Sequence, residues 1–468
     1  MRLALGRALL AFLPSNAAPW QFAPNARAFL FTTVVVVVTG IVSGLVPSRI
    51  AARLDVYHVL RRDTVDANPG WRWLDAQSVL SALQVALSLM LVVASVLFGR
   101  SLRNIRSVET GFDQSHVLLA ALDPVKSGYS EERTRAFYDA LLDRLRHEPG
   151  VRAVGLASYG SLSSVLAAGT RFLNTTMHGA GQQLQPDDDA TVWMNMITAG
   201  YFDAVGLPLR AGRDFSARDD SRVGNVAIVN ETAARYFFGM DDPVGKRIGS
   251  GRMGDADIEV VGVVADAKYL DLREASRRIV YRPHAQAFRS LMTLHVRAAS
   301  DPAALAPTLE RDVRALDPAL PLFQVQTMRG RMDESLRQER LVATLAGALA
   351  TLGTALAMVG LYGVVSYAVT RRTREMAVRL ALGAPAGHVL STVLWRTFAI
   401  ALAGIVIGVP LTLVCSQLFH GFLFGIPSND PVTVTVAVGG LLLLTLGAGY
   451  LPARRALRID PMTALRQE

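Results

Sequence analysis

Three stretches carry residues of the kind that do chemistry. From Gly239 to Lys246 the run Gly-Met-Asp-Asp-Pro-Val-Gly-Lys has the two glycines and trailing lysine of a phosphate-cradling loop. It holds five residues between the glycines rather than four, and Arg247 stands where a Ser or Thr would hold Mg²⁺, so it reads as a turn imitating such a loop. Asn230, after Val226-Ala227-Ile228-Val229 and before Glu231-Thr232-Ala233-Ala234, reads as a helix N-cap accepting a backbone N–H rather than as a ligand contact. Arg371-Arg372-Thr373-Arg374-Glu375-Met376-Ala377-Val378-Arg379-Leu380-Ala381-Leu382-Gly383-Ala384 is a basic helical segment. Its Glu375 and Arg379 stand at i and i+4 in the favourable order, and Gly383 can close the helix in a left-handed conformation. The eight histidines are scattered, and no nucleophile elbow, HExxH or Cys/His metal cluster appears. The chain does not read as an enzyme.

The elements that must position these residues are apolar. Of 468 residues 51% are hydrophobic and 19% charged, against about 25% charged in soluble domains. Mean hydropathy is +0.30. Uncharged runs of 21 residues after Arg27, 24 after Asp75, 30 after Arg340, 33 after Arg396 and 23 after Asp430 are each long enough to cross the ~30 Å hydrocarbon core as a helix. The unit from Asp75 to the C-terminus holds four of them, predicting spans at 78–99, about 341–370, about 397–420 and 431–451. No Asp, Glu, Lys or Arg lies within these spans, which argues against an ion-coupled carrier. In the span at 341–370, Gly347, Gly353, Ala357 and Gly360 are small residues that let helices approach closely.

The fifth run, at 28–46, belongs to an internal repeat. Gly44 to Asp63 aligns without gaps on Gly449 to Glu468 at an offset of 405, with eight of twenty positions identical. Leu13-Pro14-Ser15-Asn16 likewise echoes Ile426-Pro427-Ser428-Asn429. Residues 1–63 are therefore expected to be the remnant of a preceding copy of the same unit, with 64–77 a cytoplasmic linker. Arginines crowd residues 47–77, 371–388 and the tail after 453, while the loop from Ser416 to Pro431 has none. The positive-inside rule then places those three segments in the cytoplasm and the long insertion outside. Arg100, Arg103 and Arg106 run against this count, and Gly99 to Val108 is read as a helical stalk continuing the span. The net charge of +9 is accounted for largely by arginines at membrane edges, where anionic lipid attracts them, so nucleic acid is not an expected partner. The one cysteine, Cys415, falls in a span, leaving the outer domain without disulfides.

That outer domain, within residues 100–340, reads as mixed α and β. Val117–Leu122, Val154–Ala157, Val226–Val229, Glu259–Val264 and Met292–Val296 suit strands. Glu131 to His147 carries Phe137, Tyr138, Leu141, Leu142 and Leu145 at helical spacing, and Pro302 to Leu316 opens with Asp301 as N-cap. Residues 169–192 read as an exposed loop, and Gly206, Gly212 and Gly245 as turn residues.

Tyr201-Phe202-Asp203-Ala204-Val205-Gly206-Leu207-Pro208-Leu209-Arg210-Ala211-Gly212-Arg213-Asp214-Phe215, then Val226 to Glu231 and Asp242 to Ile248, resemble the periplasmic core domain of MacB-like ABC transporter permeases. The segments after residue 340 resemble the FtsX-like permease domain, and the N-terminal echo is similar to family members that fuse two such units. The fold class implied is an α-helical membrane protein with an inserted α+β extracytoplasmic domain: a four-span FtsX-like unit plus one extra N-terminal span. The resemblance implies an inner-membrane permease subunit with no cofactor of its own, ATP and Mg²⁺ being held by a separate ABC-type ATPase. Arg374, Glu375, Arg379, Gly383 and Ala384 match the family segment that docks on that ATPase, with Met376 and Ala377 where the family has Ile and Gly. Further implied partners are a second permease copy, a periplasmic adaptor or outer-membrane channel, and membrane lipid. Two roles stay open: efflux or extrusion of periplasmic substrates, and mechanical signalling to a cell-wall hydrolase or sensor kinase.

Overall fold

A computed structural model of the chain describes residue 33 and residues 76–160, 173–182, 184–185, 188–220, 222, 224–251, 255–269, 272–273, 275–371, 385–418, 423–427 and 430–456. The predicted N-terminal span at 28–46, apart from Thr33, and the repeat at 44–63 lie outside the described residues. The chain divides into two compact units, one built from residues 1–97, 344–422 and 427–468, the other from 98–343 and 423–426.

Among the described residues four helices are long and apolar enough to cross a membrane: α1 (Ala76–Arg106), followed after the outer domain by α7 (Arg337–Arg371), α8 (Ala386–Leu418) and α9 (Pro431–Ala456). Helix α1 continues without a break through Gly99 to Arg106, as the stalk reading expects. Helix α8 begins at Ala386, well before residue 397, because Arg396 marks a polar edge of the span without stopping the helix. Asp430 caps α9, accepting from the Thr433 backbone N–H at 3.1 Å. The outward faces of these helices are apolar, with Leu356 and Leu443 well exposed, as suits side chains solvated by acyl chains.

The second unit contains β1 (Val117–Leu122), α2 (Glu131–Arg146), β2 (Val151–Ala157), β3 (Leu173–Gly179), β4 (Thr191–Ile197), α3 (Tyr201–Val205), β5 (Leu209–Gly212), β6 (Val226–Asn230), α4 (Glu231–Phe238), β7 (Arg247–Ser250), β8 (Ile258–Val264), β9 (Ile279–Pro283), β10 (Met292–Ala298), α5 (Ala306–Leu316), β11 (Phe323–Thr327) and α6 (Met328–Ser335). Strands β11, β1, β10 and β2 form an antiparallel run that joins β4 through Ala157 and Ile197. From there the pairing closes on itself: β4 to β3, β7, β8, β6, β9 and back to β4. Two of those joints, β6 with β8 and β4 with β9, are parallel.

Strand β1 shows why the sequence reads as a continuous apolar run rather than an alternating one. Leu118, Ala120 and Leu122 pack with Tyr138, Leu141 and Leu309 of helices α2 and α5, whereas Val117 and Leu119 pack with Tyr201 and Val205 of α3. Both faces are covered, so neither can be polar. Gly155 on β2 permits the α3 contact, since a Cβ there would fall 2.5 Å from Tyr201 Cα. Residues 173–179 correct the reading of 169–192 as an exposed loop. Met177 is fully buried, and β3 pairs with both β4 and β7. Its polar composition, Asn-Thr-Thr around one methionine, hid a strand whose partners lie 15 to 73 residues away in sequence.

Candidate coupling site

The residues expected to contact an ATPase, Arg374, Glu375, Arg379, Gly383 and Ala384, lie outside the described residues. What is described is the machinery on either side. Segment 372–384 leaves the end of α7 and enters the start of α8, and both helices are locked onto α1.

The lock is a set of glycine contacts. Gly353 of α7 lies against α1, its carbonyl accepting from Ser88 Oγ at 2.9 Å, and a Cβ on Gly353 would sit 3.0 Å from Leu91 Cδ1. Gly360 faces Gln84 and Gly347 faces Ser95, each a neighbour on the same α1. Ala357, between them, is buried. Sequence reasoning identified these four residues by their size, and the structure gives the three glycines a common partner in α1.

It missed the tighter contact. A Cβ on Gly404 of α8 would fall 2.6 Å from the Ala82 carbonyl oxygen and 2.7 Å from Val85 Cβ, and one on Gly408 would fall 3.0 Å from Ala86 Cα. Here the close neighbours are mainly backbone and a branch point, so nothing flexible can yield. The signal was present as a small-xxx-small spacing within an apolar span. Leu361, Val365 and Val369 of α7, Ile400 of α8 and Ala82 of α1 form a shared buried cluster near the ends that flank segment 372–384. Close van der Waals contact rather than side-chain charge therefore holds these three helices together.

In the outer domain the motif residues prove to be wiring. Asn230 caps α4 by accepting from Ala233 N at 3.1 Å, and the same oxygen accepts from Ile279 N at 2.9 Å. Its amide donates to the Arg277 carbonyl at 2.7 Å and to Asp266, which also accepts from the Thr232 backbone and hydroxyl. One side chain thus ties together β6, α4 and the approach to β9, a satisfied hub with little capacity left for a ligand. Asp266, its partner, carried no sequence signal. Arg213 grips Asp219 with two bonds of 2.8 Å, and that pairing holds the Asp219 carboxyl below its ordinary range. Gly206 and Gly212 both take positive φ, and the Val261 backbone crowds Gly212.

The Gly239–Lys246 stretch lies between helix α4 and strand β7, the reverse of the strand–loop–helix order that aims backbone N–H groups at a phosphate. Lys246 Nζ reaches Asp241 at 2.7 Å and stands over the Phe238 ring. No group of three or more His, Cys, Asp or Glu side chains able to hold a metal occurs among the described residues.

Buried titratable groups cluster behind α3. The Tyr201 and Tyr269 hydroxyls lie 3.0 Å apart, Tyr281 donates to Tyr269 at 3.0 Å, and burial pushes the Tyr269 and Tyr281 hydroxyls well above their ordinary range. His295, fully buried with its ring edge-on to Tyr201, has its pKa pushed down to about 3 by burial.

Family comparison accords with this division. The family model described as MacB-like periplasmic core domain matches residues 78–316, just over half of the chain, and the one described as FtsX-like permease C-terminal matches residues 347–461. The chain belongs to the MacB-like, FtsX-type ABC permeases. A macrolide export ATP-binding/permease protein MacB of Wolinella succinogenes is 24% identical over 60% of this chain and 44% of its own length. The MacB of Rhodospirillum rubrum is 28% identical over 60% of this chain and 44% of its own length. The ABC transporter permease YknZ of Bacillus subtilis, described as uncharacterized, is 25% identical over 67% of this chain and 78% of that one. The permease thus spans less than half the length of the MacB relatives it matches. A crystal structure of the periplasmic region of MacB from Actinobacillus actinomycetemcomitans aligns with 49% of this chain and 95% of that one, at 17% identity and a TM-score of 0.33. The permease is a multi-pass inner-membrane protein whose periplasmic domain is inserted between its first and second described spans.

Proposed function

We propose that this permease is the membrane subunit through which ATP hydrolysis on a separate ABC-type ATPase is turned into movement of the periplasmic domain, for efflux or extrusion of periplasmic substrates. ATP and Mg²⁺ act on the partner. The observation that carries the reading is the glycine seam: α7 and α8, which flank segment 372–384, are both packed on α1 at contacts too close to slip past one another. A push on that segment is passed to α1 and α7, the two helices that border the periplasmic domain in sequence. On this reading Arg374, Glu375, Arg379, Gly383 and Ala384 are the residues of the segment that meets the ATPase.

The test is copurification with the cognate ATPase. Glu375→Lys, and separately deletion of residues 374–384, should each abolish association while the permease still inserts and its periplasmic domain keeps its protease resistance. Undiminished association in both variants would overturn the coupling assignment.

A further inference from the structure

We infer that Phe424, in the loop between α8 and α9, is a tether that gives α9 its own hold on the stalk, beside the two helices that run directly into the periplasmic domain. The inference rests on the coupling reading and adds a positioning residue to it.

Residues 423–426 fall in the periplasmic unit, although α8 and α9, the helices on either side of them, belong to the other. The reason is local. The Phe424 backbone N–H donates to Ser101 Oγ at 3.0 Å, and Asn104 Nδ2 donates to the Gly425 carbonyl at 3.4 Å, both partners lying on the part of α1 that continues as the stalk. Ile105, Leu272, Met332 and Leu336 form a buried cluster, and Phe424 and Leu102 pack against it. One aromatic ring thus joins the end of α1 to the junction of α6 and α7. Gly425 takes a φ of 66°, and a Cβ there would stand 3.2 Å from Asn104 Nδ2, so the loop backbone lies directly on the stalk helix.

The link from this plug to α9 is short and closed. Pro427 follows Ile426 directly, and its carbonyl accepts from the Asp430 backbone N–H at 3.2 Å; Asp430 in turn caps α9. A link closed by a hydrogen bond passes on a displacement that slack chain would absorb. Helix α9 is itself packed on α8 at Gly449, where a Cβ would fall 2.7 Å from Cγ2 of the buried Thr397. Close-packed contacts of this kind transmit strain rather than yield to it. A displacement of α8, the helix that segment 372–384 enters, therefore has a route to the stalk through α9 and Phe424, separate from the glycine seam on α1.

The contact is tested in the full chain in membranes, with Cys415→Ser removing its one cysteine and Asn104→Cys and Gly425→Cys introduced together. A Cβ on Gly425 lies 3.9 Å from Asn104 Cβ, within the range a disulfide spans. Mild oxidation should join the pair, read as a gel-mobility shift that reduction reverses. Transmission is tested in the complex with the ATPase, where nucleotide should change hydrogen exchange across the periplasmic domain of the unmodified chain. Phe424→Ala should lose most of that change while the ATPase stays bound, and Phe424→Leu should keep most of it. Oxidising the Asn104→Cys, Gly425→Cys pair on the Phe424→Ala background should restore the change, a rescue that a merely destabilised domain would not show. Copurification is read in the same samples, so a failed coupling reading shows as lost association in the unmodified chain. Absence of the disulfide, a response that survives Phe424→Ala with the ATPase bound, or a response that oxidation fails to restore would each overturn the tether.

Discussion

His295 links the buried heart of the periplasmic domain to a measurable pH dependence. Its imidazole sits in β10 between Leu119 of β1 and Gly155 of β2, with no exposed surface. Nδ1 lies 3.0 Å from the Thr293 carbonyl, so Nδ1 carries the proton, and Nε2 has no hydrogen-bond partner among the described residues. A second proton would have to be held at Nε2 in a site that offers it nothing. Burial accordingly lowers the pKa from 6.5 to about 3. The unfolded chain takes up this proton near pH 6.5 and the folded domain only near pH 3, so between those values the unfolded state binds more protons. Stability is complete above about pH 6.5 and falls as the pH drops, by about 1.4 kcal/mol per unit once below it. At about pH 5 the loss amounts to about 2 kcal/mol.

The perturbation is His295→Phe, which keeps a flat ring edge-on to Tyr201, now 5.1 Å away, and removes the titrating nitrogens. Urea unfolding of the full chain in detergent micelles, followed by near-ultraviolet circular dichroism of the buried tyrosines, should be compared at about pH 8 and pH 5. The unmodified domain should lose about 2 kcal/mol more than the variant over that interval. His284, whose pKa burial also lowers, is present in both and cancels. Equal acid sensitivity of the two proteins would refute the reasoning, because it would mean that His295 is paired or hydrated in the folded domain.

Asn230→Ala should cost about 3 kcal/mol, one part a lost helix cap and the rest buried N–H groups left unpaired, read as a fall in the urea midpoint. Asn230→Asp should keep the cap acceptor yet also destabilise, since it sets a second carboxylate against Asp266; a neutral result would remove Asn230 from the centre of the hub. Gly404→Ala should destabilise the helical unit by about 1 to 3 kcal/mol through overpacking against Ala82 and Val85, measured as a lower thermal midpoint in micelles. Gly439→Ala, where a Cβ would meet nothing within 4 Å, should be neutral or stabilising by up to about 1 kcal/mol. Matching shifts in the two glycine variants would show that the seam is not close-packed.

The sequence by itself determined the four described helices long enough to cross a membrane, because the hydrocarbon core demands long uncharged runs whatever the neighbours are. It also determined the strands β1, β2, β6, β8 and β10 and the caps Asn230 and Asp301, since these follow from local composition and a backbone N–H needing one nearby acceptor. The segment around Glu375 and Arg379, proposed above to dock on the ATPase, was legible as a motif alone. Tertiary structure decided what depends on partners remote in sequence. Strand β3 exists only because β4 and β7 flank it, and the closed pairing circuit needs β9 to lie between β6 and β4. His295 looks like any polar residue in a strand until α3 and Tyr201 cover it. Gly404 and Gly408 are two glycines among many in apolar helices. Their role appears only where the α1 backbone comes within reach, because a missing side chain has no meaning until something fills its place.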